Sequence, residues 1–240
     1  MATRKKPAAK KNTNLYYIVG AVVAALVVAG ILIAVSMSGG DGSDKSASSD
    51  TIAQIQENVK GIPASGLVLG KADAPVTITG FADIACPHCQ TAALEVIPKV
   101  TTDLVRSGKA KLEFVPTVFI SASSERGALG VLAAAKQNAA WPFAEALYHI
   151  QGSEATDWLS DADMEKIAEQ LGLDIAKWKA DYTGSEILND YQQMKDKVAT
   201  AGVNSTPTFV ITGPGGSEKV EGAVPAANIA EKVNQVATRS

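Results

Sequence analysis

Three hydrophobic patterns follow one another along the chain: an unbroken apolar run, short apolar stretches bounded by turn residues, and apolar positions three or four apart. From Ile18 to Val35 every residue is apolar or glycine, and the run extended to Leu15–Met37 has 23 residues. A helix of that length reaches about 35 Å, enough to cross a hydrocarbon core of about 30 Å. Having no polar face, the run does not read as a helix on the surface of a soluble domain. Residues 38–50 are small, polar and rich in Gly and Ser, the composition of a flexible tether. Ile52, Ile55 and Val59 then predict a short amphipathic helix over 51–60, stopped by Gly61 and Pro63.

Leu67–Leu69 and Val76–Phe81 read as strands, Thr91–Val100 as a helix that Pro98 kinks or ends, and Lys111–Phe119 as the next strand. This is a βαβ unit and implies parallel strands. From Ser123 to Ala201 the spacing is helical, with Gly127–Lys136, Trp141–Ile150, Met164 to Leu171 and Ile187 to Val198 as its clearest segments. Strand character returns at Thr208–Thr212 and Lys219–Glu221, around the turn signal Gly213-Pro214-Gly215-Gly216, and residues 225–237 close the chain as a helix. The predicted organisation is a basic tail (1–14), a transmembrane helix (15–37), a linker (38–50), and an α/β domain. That domain is split into 51–122 and 202–240 by a helical insertion at 123–201.

Charge orients this arrangement. The first 40 residues carry five bases and no acid, so 17 bases and all 25 acids fall in the remainder. The basic cluster before the apolar run places the N-terminus in the cytoplasm and the domain outside. A cleaved signal peptide, cut near Ala34-Val35-Ser36, is the competing reading. Both export the domain to an oxidising compartment. Its mildly acidic balance, with no basic block, argues against a nucleic-acid partner.

The candidate chemistry is concentrated in Cys86-Pro87-His88-Cys89, which holds both cysteines of the chain. The cluster follows a strand and opens a helix. Cys86 at the helix edge faces unpaired N–H groups and the positive end of the dipole, which favour a thiolate. Pro87 suits the first helical position, and His88 is placed to add hydrogen bonding or positive charge. Together these lower the Cys86 pKa into a range of roughly 3.5–7.5, while Cys89, one turn inside, keeps a higher one. A pKa near 4 would make the disulfide more oxidising by roughly 90 mV. A metal site competes, but closed zinc sites need about four ligands. The chain has two Cys and two His, and His149 is remote in sequence. A structural disulfide also competes, though its loop would be too short to constrain the unfolded chain much.

Beyond these residues, the chain resembles the DsbA-type thiol:disulfide oxidoreductases over residues 66–238. The resemblance rests on Ala74-Pro75-Val76-Thr77-Ile78-Thr79-Gly80-Phe81-Ala82-Asp83 leading into the Cys-Pro-His-Cys cluster, and on Gly202-Val203-Asn204-Ser205-Thr206-Pro207-Thr208-Phe209-Val210. The helical insertion between them, through Phe143–Tyr148 and Ile167–Asp174, is also similar. It implies a thioredoxin-like fold with an inserted helical subdomain, a redox disulfide Cys86–Cys89, and a cis Thr206–Pro207 bond facing the cysteines. The backbone of Thr206 would then pair with an extended substrate. It further implies a protein-disulfide oxidase with no cofactor or metal, acting on reduced or unfolded exported proteins and reoxidised by a quinone-linked membrane partner. A reductase or isomerase of the same fold, or a non-catalytic peptide-binding holdase, are the alternatives. Asp83 and Glu113 are weaker candidates for a proton relay to Cys89, read more readily as a turn residue and an exposed strand position. Trp141, Trp158 and Trp178 read as packing residues, and His149 as a surface residue.

Overall fold

A computed structural model describes residues 46–238. The expected tail, the transmembrane helix and residues 38–45 of the linker lie outside the described residues. Among the described residues no helix is long and apolar enough to cross a membrane.

The first helix, α1 (Ser49–Val59), starts two residues earlier than the apolar spacing indicates. Its start is set by a polar cap: the Ser48 side chain accepts the Thr51 N–H at 3.1 Å. Residues 46–48 also join the fold, since Ala47 is buried and its carbonyl accepts the Gln170 amide at 2.7 Å. Ile52 and Ile55 bury the apolar face of α1.

The sheet has six strands: β1 (Ala64–Ser65), β2 (Val68–Leu69), β3 (Val76–Asp83), β4 (Ala110–Thr117), β5 (Thr208–Gly213) and β6 (Gly216–Glu221). They lie in the order β1-β2-β4-β3-β5-β6. β3 and β4 are parallel, as the βαβ reading requires, and the other pairings are antiparallel. Between β3 and β4 the chain is helical throughout 87–105. It runs through α2 (Pro87–Thr91), a π-helical turn Ala92–Val96, α3 (Ile97–Val100) and a second π-helical turn Thr101–Val105. Pro98 therefore does not end the helix. The wider turn before it carries the Ile97 N–H to the Ala92 carbonyl and shifts the hydrogen-bond register ahead of the missing N–H.

One face of the sheet packs Val76, Ile78, Leu112, Phe209 and Ile211 against 87–105 and the last helix, α9 (Ala226–Ala237). The insertion supplies α4 (Ala122–Ala135), α5 (Ala140–His149), α6 (Asp161–Gln170), α7 (Ile175–Thr183) and α8 (Ser185–Thr200). Its own core joins Phe143, Leu147, Met164, Ile167 and Trp178, with Trp178 stacked on Phe143 and Tyr182. The sequence pattern did not separate α7 from its neighbours. Gly127 allows α4 to press on the cysteine-bearing turn: a Cβ there would stand 2.8 Å from the Ile84 side chain.

Candidate active site

The site is built at the end of the central strand. β3 stops at Asp83, and the buried pair Ile84-Ala85 turns the chain into the helix. Asp83 organises this turn from every side. Its carboxylate accepts the N–H of Ala85 and of Phe119, each at 2.8 Å. Its carbonyl accepts the Cys86 N–H at 3.1 Å, and its own N–H points to Cys89 Sγ at 3.4 Å. With both carboxylate oxygens holding backbone, Asp83 has the turn-forming role. Glu113 accepts from Thr79 Oγ1 at 3.1 Å and pairs with Lys197, a half-buried ion pair facing the insertion.

Cys86 occupies the N-cap of the helix, with φ −80° and ψ 121°, and Pro87 takes the first helical position. Cys86 and Cys89 are both thiols, 5% and 1% exposed. Cys86 Sγ lies 3.5 Å from the Thr206 carbonyl, to which it donates. The Thr206–Pro207 bond is cis. Pro207 is buried and its carbonyl accepts the Gly222 N–H at 2.8 Å, fixing the loop to the end of β6. All six residues singled out in the sequence thus meet at this end of the sheet, His88 and Pro87 on the exposed rim and the two sulfurs beneath.

One helical turn drives the two thiols in opposite directions. The Cys86 pKa falls from 9.0 to about 6: the Cys89 side chain hydrogen-bonds the thiolate, burial opposes, and Thr206 and the backbone amides of Cys89 and His88 add to the lowering. Burial pushes Cys89 well above the ordinary range, and the neighbouring Cys86 adds to it. The His88 backbone N–H is among the groups that lower the Cys86 pKa, and the residue stands on the exposed rim. The hydrogen bonding expected of His88 thus comes from its backbone. With pKa about 6, the gain in oxidising power at pH 7 is about one decade, or about 30 mV, rather than the 90 mV that a pKa near 4 would give.

Among the described residues no group of three or more His, Cys, Asp or Glu is arranged to hold a metal ion. His149 is exposed, as expected. The residues that sequence reasoning missed are Tyr148 and Gln151, which bind the cysteine turn from the insertion, and Gln90, which reaches from the cysteine-bearing helix to the Tyr148 carbonyl. No local signal marks them, because each contact spans 58 to 67 residues of sequence.

A family model described as thioredoxin matches residues 64–233. The probable disulfide bond formation protein D of Bacillus anthracis is 28% identical over 149 residues, covering 60% of this chain and 69% of that protein. The disulfide bond formation protein D of Bacillus subtilis is 27% identical over 161 residues, covering 65% of this chain and 70% of that protein. The fold is that of the crystal structure of oxidised BdbD from Bacillus subtilis. The TM-score is 0.64 at 22% identity, with 72% of this chain and 97% of that one covered. The chain belongs to the thioredoxin family, and with its inserted helical subdomain and Cys-x-x-Cys centre it is a DsbA-like thiol:disulfide oxidoreductase.

Proposed function

We propose that this protein is an extracytoplasmic oxidase that donates a Cys86–Cys89 disulfide to reduced exported proteins. The observation that carries the reading is the opposite displacement of the two thiols, Cys86 toward thiolate and Cys89 toward thiol. A pair of this kind is stabilised in its reduced form and gives up its disulfide readily.

In the proposed cycle a substrate thiolate attacks Cys86 Sγ of the oxidised pair. The Cys86–Cys89 bond breaks, and Cys89 leaves and takes a proton. A second substrate thiolate then attacks the substrate sulfur of the mixed disulfide, and Cys86 leaves as the thiolate. Two electrons pass to the enzyme and one disulfide forms in the substrate. The thiolate's hydrogen bonds make Cys86 the better leaving group in this second step. Pro87 starts the helix, His88 lends its amide, and the Thr206 backbone beside Pro207 offers an edge to an extended chain. Residues 15–37 anchor the protein with its domain outside the cytoplasm, where a quinone-linked membrane partner reoxidises the pair. The relatives named for disulfide bond formation support the direction of the reaction.

The test is oxidation of a reduced, unfolded protein by the purified oxidised enzyme. The wild type forms substrate disulfides stoichiometrically and Cys86→Ala forms none. Activity surviving in Cys86→Ala contradicts the proposal.

A further inference from the structure

The cysteine turn is gripped from outside its own part of the fold. Three side chains cross between the C-terminal end of α5 and residues 83–90. Tyr148 Oη donates to the Asp83 carbonyl at 3.3 Å, and Gln90 Nε2 donates to the Tyr148 carbonyl at 2.7 Å. Gln151 Nε2 donates to two carbonyls, Ile84 at 2.6 Å and Cys86 at 3.2 Å. Its own N–H returns to the Tyr148 carbonyl at 3.4 Å.

Gln151 differs from the other two in what it holds. Both of its partners are carbonyl oxygens, which only the NH₂ end of the amide can satisfy, so chemistry fixes its orientation. The carbonyls belong to the peptide units on either side of Ala85-Cys86. The Cys86 carbonyl also accepts the helix's Gln90 N–H at 3.0 Å. The direction of that carbonyl sets the rotation about the Cα–C bond of Cys86, ψ 121°. That rotation in turn aims the first helical turn, with the amides of His88 and Cys89, relative to Sγ.

We infer that Gln151 is a positioning residue for thiol exchange: by holding the Ile84 and Cys86 carbonyls it keeps the backbone amides of the first helical turn aimed at Cys86 Sγ. The helical insertion thereby sets the reactivity of a cysteine that belongs to the thioredoxin-like part. The inference rests on Cys86 being the exchanging thiol, but not on the direction of the reaction.

The experiment titrates the Cys86 thiolate by its ultraviolet absorbance and equilibrates the full-length protein with reduced and oxidised glutathione. Neither readout needs a protein substrate, so failure of the oxidase reading leaves both interpretable. Gln151→Met removes the donors and keeps the length of the side chain. With the amides no longer held on Sγ, the Cys86 pKa rises by about one unit. If it moves from about 6 to about 7, the equilibrium constant for disulfide donation at pH 7 falls about fivefold. Gln151→Asn, an amide one methylene too short to hold both carbonyls, shifts it the same way and serves if Gln151→Met does not fold. Gln90→Met breaks only the contact to Tyr148 and leaves the Cys86 pKa in place. An unchanged pKa and glutathione equilibrium in a folded Gln151 variant overturns the inference. So does an equal shift in Gln90→Met, which would mark a general loosening of the turn.

Discussion

Acidifying the reduced protein removes the stabilisation that its fold gives the Cys86 thiolate, and the size of that loss follows from the site. The folded value of about 6 lies below the ordinary 9.0. For a depressed pKa the stabilisation is present in full above the unfolded value and is lost as pH falls through the folded one. Linkage gives about 2.7 kcal/mol at pH 8, about 1.4 kcal/mol at pH 7 and about 0.1 kcal/mol at pH 5. Cys89, held high by burial, stays protonated across this range and adds nothing. Other groups titrate in the same window, so the informative quantity is the difference between wild type and Cys86→Ala. Urea unfolding of both under reducing conditions at several pH values measures it. The expected difference grows by about 2.6 kcal/mol from pH 5 to pH 8. A flat difference would refute the thiolate assignment. A difference that grows only above pH 8 would place the folded pKa near 8 and refute the value of about 6.

Removing the first-named source of that activation has a direct readout: Cys89→Ala takes away the thiol that hydrogen-bonds Cys86. The pH at which Cys86 is half alkylated should rise by more than about one unit. Glu145 offers a test away from the cysteines. It is half-buried beside α1, hydrogen-bonded by Asn58 at 3.2 Å, and burial raises its pKa to about 7. A raised carboxyl stabilises the fold at low pH, and that stabilisation is lost as pH rises from about 4.5 through about 7. Glu145→Gln should therefore increase stability at pH 8 by on the order of 2 kcal/mol and change little at pH 4, measured by urea unfolding.

The chemistry was legible because both cysteines stand in one cluster between a strand pattern and a helix pattern. The central β3–β4 pair was legible for a related reason: both strands are apolar, and burial alternates through Val76–Thr79 and Ala110–Glu113, which leaves a local trace. Pro98 does not end the helix because π-helical turns accommodate it, and no local rule predicts those turns. The position of His88 beside Cys86 was visible, but that its backbone amide lowers the Cys86 pKa was not. Gln151, Gln90 and Tyr148 left no trace because their role exists only once α5 has docked on the cysteine turn. Asp83 lay between these cases. Its place near the turn was visible, but that its carboxylate reaches across to Phe119 was not.

The central claim is that Cys86 is the sulfur through which a disulfide leaves this protein. The most direct measurement traps the mixed disulfide. An unfolded substrate protein whose single cysteine is activated as a mixed disulfide with a small aromatic thiol is mixed with the reduced Cys89→Ala protein, whose Cys86 thiolate displaces the small thiol, and the covalent product is mapped by mass spectrometry. The account predicts one substrate sulfur bonded to Cys86, with no adduct in Cys86→Ala. Failure to form that adduct at Cys86, with the variant folded, would contradict it.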